Sequence, residues 1–108
     1  MRANEYQDWT EKTAIYPKNA GLAYTIIGLA SEVGEVAGKF KKCLRDDNAV
    51  LTEERKQQLI DELGDVMWYV ARIAAELKIP LEDVIQRNHD KLEDRLNRDV
   101  IKGSGDNR

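Results

Sequence analysis

The chain has few of the residues that staple or anchor a fold. Its single cysteine, Cys43, excludes an intrachain disulfide and offers no thiolate pair to a metal. Two prolines, Pro17 and Pro80, are all that interrupt 108 residues, and aromatics make up only 6%. No apolar run approaches the roughly 18 residues of a membrane span, and no basic, hydrophobic leader opens the chain. The expected setting is therefore the cytoplasm, with no membrane partner. Lys and Arg do not cluster among aromatics, and the formal net charge is −3, so no nucleic-acid surface is expected. Free nucleotides stay open as ligands, because a metal ion and a few local cations suffice for them.

What is present is a mixture suited to amphipathic helices, 34% charged and 42% hydrophobic. The expected class is all-α, one domain over residues 1–102. A chain of this length lies near the size at which association often adds buried surface.

Tyr6, Trp9 and Thr13 at helical spacing predict a first helix from about Asn4 to Ile15, with Asn4 as N-cap and Pro17 beyond its end. A turn at Lys18-Asn19-Ala20-Gly21 follows. Leu22, Ile26, Leu29, Val33, Val36, Phe40 and Cys43 then recur at steps of four and three, predicting a long second helix packed along much of its length. Arg45-Asp46-Asp47-Asn48 reads as a polar loop. Thr52 reads as the N-cap of a third helix whose stripe is Leu59, Leu63, Val66, Val70, Ile73 and Leu77. Pro80 ends that helix or opens a fourth, which carries Leu81, Val84, Ile85, Leu92 and Leu96 to about Asn97. Residues 103–108, with Gly103 and Gly105, read as a flexible tail or one ordered by a ligand or subunit.

The organising feature is an echo between two tetrapeptides, Glu32-Val33-Gly34-Glu35 and Glu62-Leu63-Gly64-Asp65. Residues three apart share a helix face, so each segment turns two carboxylates the same way. On both helices the acids directly precede stripe residues and so flank a packed seam. If the helices are antiparallel neighbours, four acids meet, and like charges so gathered need a cation among them. Oxygen-only ligands suit Mg²⁺ or Mn²⁺. Gly34 and Gly64 are expected at the helix crossing, since glycine in a helix interior costs about 1 kcal/mol against alanine. On the fourth helix the row Val84, Asn88, Lys91, Arg95 begins apolar and ends cationic, as fits a helix whose far end borders an anion.

Either tetrapeptide alone would read as a solvated face; the matched pair and the cationic row carry the argument jointly. At these residues the chain resembles the MazG-like nucleoside triphosphate pyrophosphohydrolases of the all-α NTP pyrophosphatase superfamily. Their signature, Glu-x-x-Glu, a variable spacer, then Glu-x-x-Asp, is filled by Glu32, Glu35, Glu62 and Asp65. Asn88-His89-Asp90-Lys91-Leu92-Glu93-Asp94-Arg95 and Gly103-Ser104-Gly105-Asp106 resemble the family as well.

The resemblance implies a bundle of four main antiparallel helices, completed by assembly into homodimers or homotetramers. It implies cleavage of a nucleoside triphosphate to the monophosphate and pyrophosphate. The metal, Mg²⁺ or Mn²⁺, falls to Glu32, Glu35, Glu62 and Asp65, with Glu35 and Glu62 in catalytic roles and Glu35 the candidate base. Phosphate binding falls to Lys91, Arg95 and Asn88, with Lys39 and Lys42 as weaker candidates. A phosphoribosyl-ATP pyrophosphohydrolase and a non-catalytic helical interaction module are the alternatives.

Other polar and aromatic residues take plainer readings. His89 lacks a second histidine at helical spacing and reads as partly exposed. Absence of any Glu-x-x-His counts against a ferritin-like di-iron protein. Cys43 reads as a small core residue. Trp9, Trp68 and Tyr69 read as packing before base stacking. Asp61 reads as second-layer support or surface.

Overall fold

The computed structural model describes residues 1–108, which form four α-helices and no strand: α1 Ala3–Thr10, α2 Gly21–Asp46, α3 Glu53–Glu76 and α4 Leu81–Asn97. Short 3₁₀ turns occupy Glu11–Thr13 and Lys18–Ala20. No helix is long and apolar enough to cross a membrane.

α2 and α3 form a long antiparallel hairpin, and α1 and α4 pack near its open end. The connection between α2 and α3 closes on Cys43, whose carbonyl accepts the Ala49 N–H at 3.2 Å while its thiol donates to the Val50 carbonyl. Arg55 pins Asp47 at 2.8 Å. Cys43 is fully buried, the small core residue its sequence context indicates. Thr52 caps α3, its hydroxyl accepting the Arg55 N–H at 3.2 Å. At the other end Lys78, at φ 61°, takes the left-handed position that stops α3.

Asn4 does not cap its own helix. Arg2 holds that position, and α1 ends at Thr10, short of the expected Ile15. Asn4 and Gln7 instead reach across to the start of α4, where Pro80 has no side chain to offer the first free N–H groups. The Asn4 side-chain oxygen accepts from Glu82 N–H at 2.9 Å, and the Gln7 oxygen from Leu81 N–H at 2.8 Å. Gln7 also donates to the Ile79 carbonyl at 2.9 Å, so α1 clamps the turn between α3 and α4. Beneath that clamp lies the core: Ala71, Ala74 and Leu81, with Tyr6, Val70 and Val84 against them.

Two expectations are corrected along the hairpin. Gly34 and Gly64 do not mark the crossing; space around both is open. The close approach is at Gly28, where an added methyl would strike the Tyr69 ring, and at Gly21, where it would meet the Glu76 carboxylate. The α2 stripe is also less covered than its periodicity implies. Thr25 and Cys43 are buried, whereas Ile26, Val33 and Phe40 stay about half exposed, as do Ile60, Leu63 and Met67 on α3. One chain has too few helices to cover both faces of the hairpin.

Residues 103–108 turn back on α4. Arg108 donates to the carbonyls of Val100 and Ile101, and Arg98 donates to the main-chain oxygen of Arg108.

Candidate active site

Because α2 and α3 run antiparallel, the acids at matched offsets face one another across the hairpin. Glu32, Glu62 and Asp65 each offer a carboxylate oxygen, and these oxygens lie within 4.8 Å of one another. Glu32 and Glu62 are half-buried and Asp65 is exposed. Glu35 stands outside this group, exposed, one turn further along α2. No lysine or arginine pairs with any of the four. Burial pushes the Glu32 carboxyl above the usual carboxylate range, and the charges of Asp65, Glu62 and Glu35 and a hydrogen bond with Glu62 push the same way. Three convergent oxygens without a protein cation fit a hard divalent ion of the Mg²⁺ or Mn²⁺ type.

The acids open onto an aromatic cavity. Trp9, Thr13, Trp68 and Tyr69 line a space of about 370 Å³ together with Glu32 and Asp65. The Trp68 indole N–H donates to the Thr13 hydroxyl at 2.7 Å, and its ring meets Tyr69 edge-on with centroids 4.9 Å apart. All three aromatics read from the sequence as packing therefore border the acid cluster. Thr13, read from the sequence only as a position on the first helix, lies in the turn after α1 and was not expected at the site, because nothing local tells that this segment folds over the middle of α3.

One turn before Glu32, Leu29 belongs to a larger cavity of about 670 Å³ between α2, α3 and α4. Its walls are mainly apolar, including Val70, Ile73, Leu77 and Val84, and its polar rim is Arg87, Asn88 and Lys91. Asn88 and Lys91 of the cationic row thus line a cavity that none of the four acids lines, joined by Arg87, which sequence reasoning did not single out. Arg95 is buried and turned to the C-terminal segment, donating to the Asp106 carbonyl at 2.9 Å and to the Asp106 carboxylate at 3.2 Å. Lys39 and Lys42 are half-buried on α2, and Asp61 is exposed on α3. His89 is exposed and bonded to Asp90 at 3.1 Å.

A family model for the MazG nucleotide pyrophosphohydrolase domain matches residues 22–99, the stretch holding all four acids and both cavity-forming helices of the hairpin. The chain belongs to the MazG family. Among its relatives is the Gene 37 protein of Mycobacterium phage L5, 49% identical over 114 aligned positions that span both chains in full. Another is the Uncharacterized protein YvdC of Bacillus subtilis strain 168, 27% identical over 105 positions, covering 89% of this chain and 97% of that protein. No solved structure matches the chain significantly. In this MazG domain, Trp9 and Thr13 on one side and Asp106 on the other lie outside the matched stretch.

The aromatic wall beside the acid cluster is held by a buried guanidinium. Arg72, 5% exposed, donates to the Tyr16 hydroxyl and the Thr10 hydroxyl at 3.3 Å each and to Glu11 at 2.8 Å. A charge so buried is tolerable only when paired. These bonds draw residues 10–16 onto α3 and turn the end of α1 into a 3₁₀ turn, which sets Thr13 against Trp68. Tyr16 adds its ring, stacked on Tyr24 and edge-on to Trp68.

Proposed function

We propose that the protein is a Mg²⁺-dependent pyrophosphohydrolase that converts a nucleoside or deoxynucleoside triphosphate to the monophosphate and pyrophosphate. The observation that carries this reading is the convergence of Glu32, Glu62 and Asp65, unpaired by any cation, beside an aromatic cavity. Those three carboxylates would hold the metal, Mg²⁺ or Mn²⁺, which supplies charge neutralisation for the phosphates and acidifies water. Glu35, outside the three-oxygen group, would take a proton from the attacking water. Water adds to the α-phosphorus, the bond to the bridging oxygen breaks, and pyrophosphate leaves with the electron pair. Trp9, Trp68 and Tyr69 would stack the base, a contact available to every base through its π face. Lys91 and Asn88 would meet the phosphates from the rim of the neighbouring cavity, with Lys39 contributing from α2. A cytoplasmic nucleotide pool would supply the substrate.

The same reading includes a homodimer or homotetramer. The radius of gyration is 16.9 Å, against about 13 Å for a compact domain of this length. Val33, Phe40, Leu63 and Met67 would be covered by a second copy. Light scattering on the purified chain decides the mass.

Pyrophosphate release measured across canonical and modified dNTPs and NTPs, with phosphoribosyl-ATP in the panel, tests the function. The expected result is metal-dependent release from at least one triphosphate, mostly abolished in a folded Glu62→Gln variant. Release from phosphoribosyl-ATP alone would transfer the assignment to that reaction. No release from any substrate, with no saturable Mg²⁺ or Mn²⁺ binding, would leave a helical interaction module.

A further inference from the structure

Lys91 and Arg95 stand one turn apart on one face of α4, where like charges repel. A single oxygen of Asp106 lies 3.2 Å from the Lys91 ammonium and 3.2 Å from an Arg95 guanidinium nitrogen, bridging the pair. The two cations differ in what else they meet. Arg95, its side chain 5% exposed, spends the same nitrogen on the main-chain carbonyls of Asp106 at 2.9 Å and Gly105 at 3.4 Å. Gly105, at φ 81°, supplies the left-handed turn that brings those carbonyls round. Lys91 is 42% exposed and sits on the rim of the cavity beside Asn88. Arg95 is therefore tied to the C-terminal segment through one nitrogen, while Lys91, bonded to the Asp106 carboxylate, keeps donors free for a ligand. Hydrogen bonds from Lys91 and then Arg95 hold the Asp106 carboxyl below the usual carboxylate range.

We propose that Asp106 is a positioning residue for substrate phosphate: it offsets the repulsion between Lys91 and Arg95 and fixes the Lys91 ammonium at the cavity rim, while Arg95 anchors the C-terminal segment. The inference rests on the pyrophosphohydrolase reading, because it needs Lys91 to meet a phosphate. It gives residues 103–108 a part in binding that the four-acid signature does not contain.

The test is steady-state pyrophosphate release and calorimetric binding of inorganic pyrophosphate by the full chain carrying Asp106→Asn, Asp106→Ala, Asp106→Glu or Lys91→Gln. Asp106 is 82% exposed, so loss of this solvent-screened contact predicts that Asp106→Asn and Asp106→Ala raise KM about threefold and weaken pyrophosphate binding by a similar factor. The fall in kcat is smaller than the rise in KM, and Mn²⁺ binding by the acids is unchanged. Asp106→Glu recovers much of the loss, which a merely structural defect would not allow. In a Lys91→Gln background Asp106→Ala has little further effect, as expected of residues acting as one unit. Unchanged KM, additive effects of the two substitutions, or tighter binding in Asp106→Asn would overturn the proposal, the last by making the carboxylate a competitor. An active wild type with indifferent Asp106 variants defeats this inference alone. A wild type that cleaves no triphosphate defeats the function reading as well.

Discussion

Replacing Glu62 by Gln in the metal-free protein is expected to raise its melting temperature. The oxygens of Glu32, Glu62 and Asp65 lie within 4.8 Å of one another, and no protein cation offsets them. At that separation each pair repels by about 0.9 kcal/mol in a water-like dielectric. Glu62→Gln removes two of the three pairs, and physiological salt, with a screening length of about 8 Å, cuts the sum to roughly 1 kcal/mol. For a domain of this size that is about 4 °C. Glu32 adds a pH signature. Its carboxyl is pushed up by burial and by its acidic neighbours, so the folded state binds that proton more tightly than the unfolded one. Stability from this group is highest in acid and falls as the pH climbs through the raised value above the usual carboxylate range. Differential scanning fluorimetry with EDTA, at fixed protein concentration, should show the wild type losing more stability than Glu62→Gln as the pH rises from the usual carboxylate range to neutrality. Added Mg²⁺ or Mn²⁺ should reverse the order, stabilising the wild type by mass action and the variant far less. A lower metal-free melting temperature in Glu62→Gln, or equal metal-induced shifts in both proteins, would refute the reasoning.

Gln7→Leu leaves the buried Leu81 N–H and the Ile79 carbonyl without partners, which predicts a loss of about 2–4 kcal/mol in urea unfolding. Gly28→Ala pushes a methyl into the Tyr69 ring and should cost about 1–3 kcal/mol in the same assay. Gly64→Ala meets no atom of its own chain and should add about 0.5–1 kcal/mol at dilutions where the protein is monomeric. Thr52→Ala removes the α3 cap and should cost about 1 kcal/mol, seen as faster amide exchange in the first turn of α3.

Features written in local chemistry are legible in the sequence. The stripes of α2, α3 and α4, the Thr52 cap and the facing of Glu32 toward Glu62 and Asp65 follow from spacing of three and four plus one antiparallel turn. Features that depend on distant partners are not. Asn4 has the composition of a cap but serves a helix 78 positions away. α1 stops early because Arg72 holds Thr10 and Glu11, and periodicity within α1 carries no sign of Arg72. Glycines inside a helical pattern look alike: Gly28 receives a tyrosine ring while Gly34 and Gly64 receive nothing. The aromatics were ambiguous for the same reason. Trp9 is ordinary packing until α1 is laid beside Trp68 and Glu32. Half-covered stripes are the remaining gap, since an apolar row states that something must cover it, not which chain.

The central claim is that Glu32, Glu62 and Asp65 hold one divalent ion in common. Anomalous diffraction from crystals grown with Mn²⁺ and a non-hydrolysable α,β-imido nucleotide tests it most directly. The account predicts a manganese peak within about 2.5 Å of oxygens from all three side chains, with the base against Trp9 or Trp68. A fully occupied nucleotide whose metal lies away from these carboxylates, or no peak at saturating Mn²⁺, would contradict it.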